Sequence, residues 1–178
     1  GRFPWLYKLT PLGGGIDAGT TTTAFPVGDT KLAASICYES VISRVIRRQV
    51  SALIARGDEP EVLVNLTNDG WFRGSSELDQ HVACDVFRAV ECRKPLVAVA
   101  NTGFSVWIDS CGRIRKQAKR RETDTIIAPV ELDSRHSPYL TVGDVPSGVC
   151  LAVCVGLAAV GWRDRRKNRQ EKTLGTIS

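Results

Sequence analysis

The stretch KLAASICYESVISRVIRRQVSAL, from Lys31 to Leu53, decides the fold. Its opening run, Lys31-Leu32-Ala33-Ala34-Ser35-Ile36-Cys37, follows a turn-rich segment at residues 13–23 that has no periodicity, and it predicts a short buried strand. From Ser40 onward, Val41, Ile42, Val45, Ile46, Val50 and Leu53 recur at near-helical spacing, so a helix over residues 40–53 follows at once. A strand running directly into an amphipathic helix is the building unit of a layered α/β protein.

The alternation continues downstream. Glu61-Val62-Leu63-Val64-Asn65-Leu66 predicts a second strand, entered through Gly57-Asp58-Glu59-Pro60, and residues 78–92 predict a second helix. Residues 96–101, 104–109 and 125–130 predict a third, fourth and fifth strand, and no internal repeat is evident. The fold class expected is α/β. A chain of 178 residues, 43% of them hydrophobic, buries one sizeable core, which excludes disorder over most of its length.

The net charge of +5 resides in two clusters. Arg113, Arg115, Lys116, Lys119, Arg120 and Arg121 follow a Ser110-Cys111-Gly112 turn and predict an exposed, solvated hairpin, so no nucleic-acid partner is expected. The second cluster, beginning at Arg163, directly follows residues 145–162, a run without a charge. At about 18 residues this run is near the lower limit for crossing a bilayer. A buried core helix is the other reading, because Gly148, Gly156 and Gly161 dilute its hydrophobicity, but basic residues beside an apolar helix favour a membrane span with a cytoplasmic tail. The expected organisation is a domain at 1–142, a transmembrane helix at 143–162 and a basic cytoplasmic tail at 163–178. The chain opens on Gly1 without a signal-peptide pattern and contains no Met, so it is expected to be a piece of a longer protein.

Polar residues gather where the predicted strands end: Cys37-Tyr38-Glu39, residues 65–72, and Asn101-Thr102-Gly103. Ligands bind at such rims in layered α/β proteins, so a shared site is expected there. A Cys at a strand-to-helix junction gains from the partial positive charge of the helix N-terminus, although by spacing alone Cys37 is equally a small core residue. Neither histidine, His81 nor His136, pairs with Cys37 in sequence. No Cys-x-x-Cys spacing supports zinc, no cofactor is expected, and the six cysteines form no disulfide framework.

Several motifs in order narrow the reading. Ile36-Cys37-Tyr38-Glu39, then Leu63-Val64-Asn65-Leu66-Thr67-Asn68-Asp69-Gly70-Trp71-Phe72, then Gln80-His81, Arg88-Ala89-Val90-Glu91 with Pro95, and Ala100-Asn101-Thr102-Gly103-Phe104-Ser105 resemble the apolipoprotein N-acyltransferases, a membrane branch of the nitrilase superfamily. The likeness extends to Ile108-Asp109, Gly112 and Gly143-Asp144. It implies the C-terminal part of a nitrilase-type α-β-β-α sandwich (a carbon-nitrogen hydrolase domain) followed by one transmembrane helix.

The resemblance also implies a two-step acyl transfer in lipoprotein maturation at the bacterial inner membrane, with the domain on the periplasmic side. A Cys thioester would form from a phospholipid acyl donor, and the amine of a diacylglyceryl-modified lipoprotein would accept the chain. Cys37 matches the nucleophile, the Tyr38 backbone N–H an oxyanion donor, and Glu39 a supporting acid. Asn65, Asn68, Trp71, Phe72 and Asn101 are the candidate substrate-binding residues, Arg88 and Glu91 an expected structural ion pair, and His81 an expected structural residue. The family's base Glu and oxyanion Lys precede its nucleophile. Lys8 and Lys31 are the lysines ahead of Cys37 and neither has the family context, so this chain alone is expected to be inactive.

A nitrilase-family amidase acting on a small-molecule C–N bond, or a non-catalytic membrane-tethered remnant, are the alternatives. Fractionating expressing cells separates the first of them: the chain should resist a high-salt wash and leave the membrane only in detergent. Release by salt alone would favour the amidase.

Overall fold

The computed structural model describes residues 19–72, 75–120 and 122–174. The expectations for Lys8, for the start of the turn-rich segment and for Arg121 lie outside them.

Six strands form one mixed sheet in sequence order: β1 (Ala24–Val27), β2 (Thr30–Ile36), β3 (Val62–Thr67), β4 (Leu96–Ala100), β5 (Val106–Ile108) and β6 (Ile114–Gln117). The central strands β2, β3 and β4 are parallel, while β1, β5 and β6 join by antiparallel hairpins. The two crossovers carry α1 (Ser43–Ala55) and α2 (Glu77–Cys92). A tight 3-10 turn at Cys37–Val41 separates β2 from α1. Beyond the sheet come a short helix α3 (Pro138–Val142) and a long one, α4 (Val145–Leu174).

Strand alternation sorts the side chains onto two faces. Ala33, Leu63, Leu96, Ala98, Val106 and Ile108 point toward α1 and α2 and pack with Ile46, Val50, Leu53, Ala89 and Cys92 in the core. The opposite face buries Val62 and Trp107 but is open toward the rim. Ile36 is 66% exposed, Leu66 48% and Val99 49%, and the register sets Ile36 beside Leu66 and Leu66 beside Val99, giving a continuous apolar row. One sheet with helices on one side is half of the expected sandwich.

One local expectation is corrected. Residues 125–130 do not form a strand: Pro129 lacks a ladder donor, Ile127 is exposed, and the Ile127 carbonyl accepts from Lys116 Nζ at 2.6 Å instead. The outer strand β1 went unrecognised because it is short and holds Pro26, whereas β6 is the second arm of the expected exposed hairpin, with all its side chains exposed, which suits a sheet edge. Helix α4 carries on past the apolar run into the second basic cluster, through Arg163 to Leu174. The apolar part of that helix, Val145–Arg163, has a mean hydropathy of 1.9 and none of it is buried.

The two faces should respond differently to truncation. Leu53→Ala removes a fully buried side chain and should lower unfolding free energy by about 2–5 kcal/mol, whereas Leu66→Ala on the open face should change it by less than about 1 kcal/mol. Urea titrations of both variants check the contrast.

Candidate active site

The parallel strands β2, β3 and β4 end on one rim, and the predicted site residues collect there. Cys37 is the first residue past β2. It is half-buried and has φ 51°, a left-handed conformation that is uncommon for a residue with a side chain. That reversal ends the strand and starts the 3-10 turn. α1 begins only at Ser43, so the expected benefit of a full helix N-terminus does not reach Cys37. Tyr38 is the next residue of the turn, and its N–H lies ahead of the first intrahelical donor of a 3-10 pattern. Glu39 folds back, its Oε2 accepting the Ile36 N–H at 2.8 Å and closing the loop around Cys37.

Beneath the turn lies a buried polar network. Asn65 shares the helix-facing side of β3 with Leu63 and is fully buried. Its Nδ2 donates to Ser40 Oγ at 2.8 Å and to Asp85 Oδ1 at 3.3 Å. Ser40 Oγ is 3.1 Å from His81 Nε2, and His81 Nδ1 is 3.0 Å from Asp69 Oδ1, which also accepts from Thr67 Oγ1 at 2.7 Å. His81 Nε2 also lies 3.3 Å from the Cys37 carbonyl oxygen. Arg88 completes the floor: Nη1 donates to the Ser40 carbonyl at 3.2 Å and to the Val41 carbonyl at 3.4 Å, while Nη2 pairs with Glu91 at 2.7 Å. Asp69, His81 and Ser40 have the order of a hydrolase triad, but Ser40 is wholly enclosed and cannot meet a substrate. The accessible thiol above it can.

Helix α2 supplies most of this floor from one stripe. Leu78, His81, Asp85, Arg88 and Cys92 fall at intervals of three and four and are all buried. Asp69 is fixed by the neighbouring loop as well, since a Cβ on Gly103 would fall 2.0 Å from its Oδ2, so only glycine fits at Gly103. Burial drives the Asp85 carboxyl up to about 6, against hydrogen bonds from Ser40 and Asn65 and the attraction of His81, which pull it down.

Of the expected substrate-binding residues, Asn68, Trp71 and Asn101 stand exposed on the rim, Trp71 at 81%. The Phe72 side chain lies outside what the structure describes. Asn65 does not belong with them: strand parity buries it, and it acts on the site from below. A cavity of about 410 Å³ opens on the same rim, between the Asn101-Thr102-Gly103 loop and the residues after β6, including Lys119 and Asp124. The sequence reading missed Ser40, Asp69 and Asp85 as site residues. The parity of β3 and the polar content of the α2 stripe were the signals available.

Two other cysteines are poor rivals to Cys37. Cys92 is buried in the core, which pushes its thiol up to about 12. Cys111, lowered by a hydrogen bond from Arg135, lies in the β5–β6 turn. Because β5 runs antiparallel to β4, that turn is at the opposite end of the sheet.

A half-buried thiol on a reversed turn, held at the C-terminal rim of a mixed sheet, agrees with the sequence comparison. Residues 8–137 match the carbon-nitrogen hydrolase family, and the chain belongs to it. Within that family the similarity is to one branch. The chain is 36% identical over 171 residues to the apolipoprotein N-acyltransferase of Rhodopirellula baltica, covering 93% of this chain and 30% of that protein. It is 34% identical over 167 residues to that of Geobacter metallireducens, covering 94% of this chain and 31% of the relative. The chain therefore spans about a third of the length of these relatives. Among solved structures, a carbon-nitrogen hydrolase from Helicobacter pylori superposes with a TM-score of 0.50 at 12% identity, over 61% of this chain and 43% of that one, a likeness of fold.

The raised Asp85 carboxyl has a consequence for stability. It retains a proton in the folded state that the unfolded chain has released, so its contribution is complete below pH 4 and is lost as pH rises through about 6. Asp85→Asn should remove that slope. Relative to wild type, the variant should gain roughly 2–3 kcal/mol between pH 4 and pH 7, measured by urea unfolding across the range.

Proposed function

We propose that this chain is the nucleophile-bearing part of an apolipoprotein N-acyltransferase. The observation that carries the proposal is the placement of Cys37, a half-buried thiol on a reversed turn at the strand rim, in a chain with a long apolar helix that is not buried among the described residues. The 30% or greater identity to apolipoprotein N-acyltransferases supports the same reading, and the amidase alternative has no comparable support.

In this mechanism the Cys37 sulfur attacks the ester carbonyl of a phospholipid acyl chain. The carbonyl oxygen becomes an oxyanion, to which the Tyr38 N–H donates; one such fixed donor lowers the barrier by about 3 kcal/mol. Collapse breaks the ester C–O bond, releases the lysophospholipid alcohol with a proton, and leaves a thioester on Cys37. The amine of a diacylglyceryl-modified N-terminal cysteine then attacks the thioester, and the thiol takes back its proton as the amide forms. Glu39 holds the turn, while Asn68, Trp71 and Asn101 line the approach. The base and the oxyanion cation belong to the part of the family fold that precedes the nucleophile. On this reading residues 1–142 form the domain, 143–162 cross the bacterial inner membrane, the domain faces the periplasm and the basic end faces the cytoplasm.

A chimera tests the proposal. Replacing the matching segment of the Rhodopirellula baltica enzyme with residues 8–174 of this chain should give a protein that accumulates an acyl thioester on Cys37, seen by intact-protein mass spectrometry. Cys37→Ala in that chimera should reduce acyl transfer by at least ~10³-fold. A folded, membrane-inserted chimera that forms no thioester would overturn the assignment. The 178-residue chain alone, in phospholipid vesicles, should form none.

A further inference from the structure

The joint between the domain and α4 is tied to the helix that follows the nucleophile. Helix α3 has five residues; the Gly143 N–H caps its Tyr139 carbonyl at 2.8 Å, and α1 adds donors to that carbonyl and the next two from outside. Arg47 Nε donates to the Tyr139 carbonyl at 2.9 Å and Nη2 to the Thr141 carbonyl at 3.1 Å. Ser51, one turn further along the same face of α1, donates to the Leu140 carbonyl at 3.4 Å. The Arg47 guanidinium also lies 5.9 Å from the centre of the Tyr139 ring. Tyr139 in turn donates its hydroxyl proton to Asp144 Oδ1 at 3.1 Å, immediately ahead of α4.

Gly143, between α3 and α4, fits this contact in two ways. Its φ is +56°, and a Cβ there would fall 2.7 Å from Arg47 Cζ. The chain turns at Gly143 directly against the guanidinium. Among the described residues none of the apolar window of α4 is buried, and this joint holds the start of the helix.

The geometry points to Arg47 as a positioning residue that fixes the direction of α4 against the sheet and, through α1, the height of Cys37 above the start of that helix. The fixed direction stands on the contacts alone. The height matters for catalysis only if α4 is the membrane span proposed above, because an acyl ester of a phospholipid lies at a set depth and the thiol must meet it. An arginine suits this joint better than a lysine, since its planar fork presents Nε and Nη2 to the two carbonyls in a fixed geometry.

The test uses the full chain in detergent micelles, with non-cysteine spin labels introduced at Asp79 on α2 and Val153 on α4, both exposed. Pulsed dipolar spectroscopy should give one narrow distance distribution in the parent chain. Arg47→Ala should at least double its width, and Arg47→Lys should fall between. Gly143→Ala should also broaden it, but should add less in an Arg47→Ala background, where the clash with the guanidinium is gone. Hydrogen exchange separates a local clamp from general loosening: amides of residues 140–143 should exchange at least tenfold faster in Arg47→Ala while those of β2, β3 and β4 stay protected. An unchanged distance distribution, or loss of protection across the sheet, would overturn the proposal. Flotation of the chain with phospholipid vesicles tests the membrane reading separately: failure to float would remove the catalytic meaning of the height and leave the clamp standing.

Discussion

The arrangement depends on one buried contact system, the hydrogen bonds from Asn65, His81 and Arg88 to the turn that follows β2. A left-handed residue at Cys37 is unfavourable by about 1 kcal/mol or more, so the turn persists only because surrounding groups determine it. Arg88 takes the carbonyls of Ser40 and Val41, Asn65 the Ser40 hydroxyl, and His81 stands under the Cys37 carbonyl. Asn65 stands on the helix-covered face of β3, and His81 and Arg88 come from α2 on that same face, which couples the core to the shape of the nucleophile's loop. Removing any one partner leaves buried polar groups unsatisfied, a loss larger than a single hydrogen bond usually contributes.

The sheet's two faces divide the labour. One is sealed by α1 and α2 and holds both the apolar core and the polar floor of the site. The other presents an apolar row across β2, β3 and β4, typical of a sheet built to receive a second layer. The described residues thus combine a helix-covered face, at whose rim Cys37 is placed, with a face that is open toward the same rim. The same division explains why the floor residues are enclosed while Asn68, Trp71 and Asn101 stand free: they belong to loops beyond the ends of the strands.

Much of this was legible in the sequence, and the gaps have physical causes. Long apolar strands and the helices of the crossovers declared themselves by period, and the ordered motifs located the rim. Reading Asn65 as a substrate contact failed because its motif drew attention away from strand parity, which puts it with Leu63 in the interior. Asp85 and Ser40 were passed over because a polar residue on a buried stripe has no meaning until its partner is known, and the partners are distant in sequence. Pro26 hid β1, an edge strand that packs little, while the turn at Ser110-Cys111-Gly112 disclosed the exposed hairpin that ends in β6. At residues 125–130 an apolar run of strand composition formed no ladder, since composition says nothing about whether a neighbouring edge is available.

The apolar part of α4 has a further consequence. Its 19 residues extend about 28 Å at 1.5 Å each, close to the roughly 30 Å hydrocarbon thickness of a bilayer. A helix of this length has no surplus to absorb by tilting, and a thicker bilayer would have to thin around it. On the membrane reading, the domain is therefore sensitive to the lipid mixture through mismatch. Longer acyl chains would draw the joint at Gly143 toward the hydrocarbon, whereas shorter ones would lift it away, so bilayer thickness would act directly on how deeply the catalytic rim sits among the headgroups.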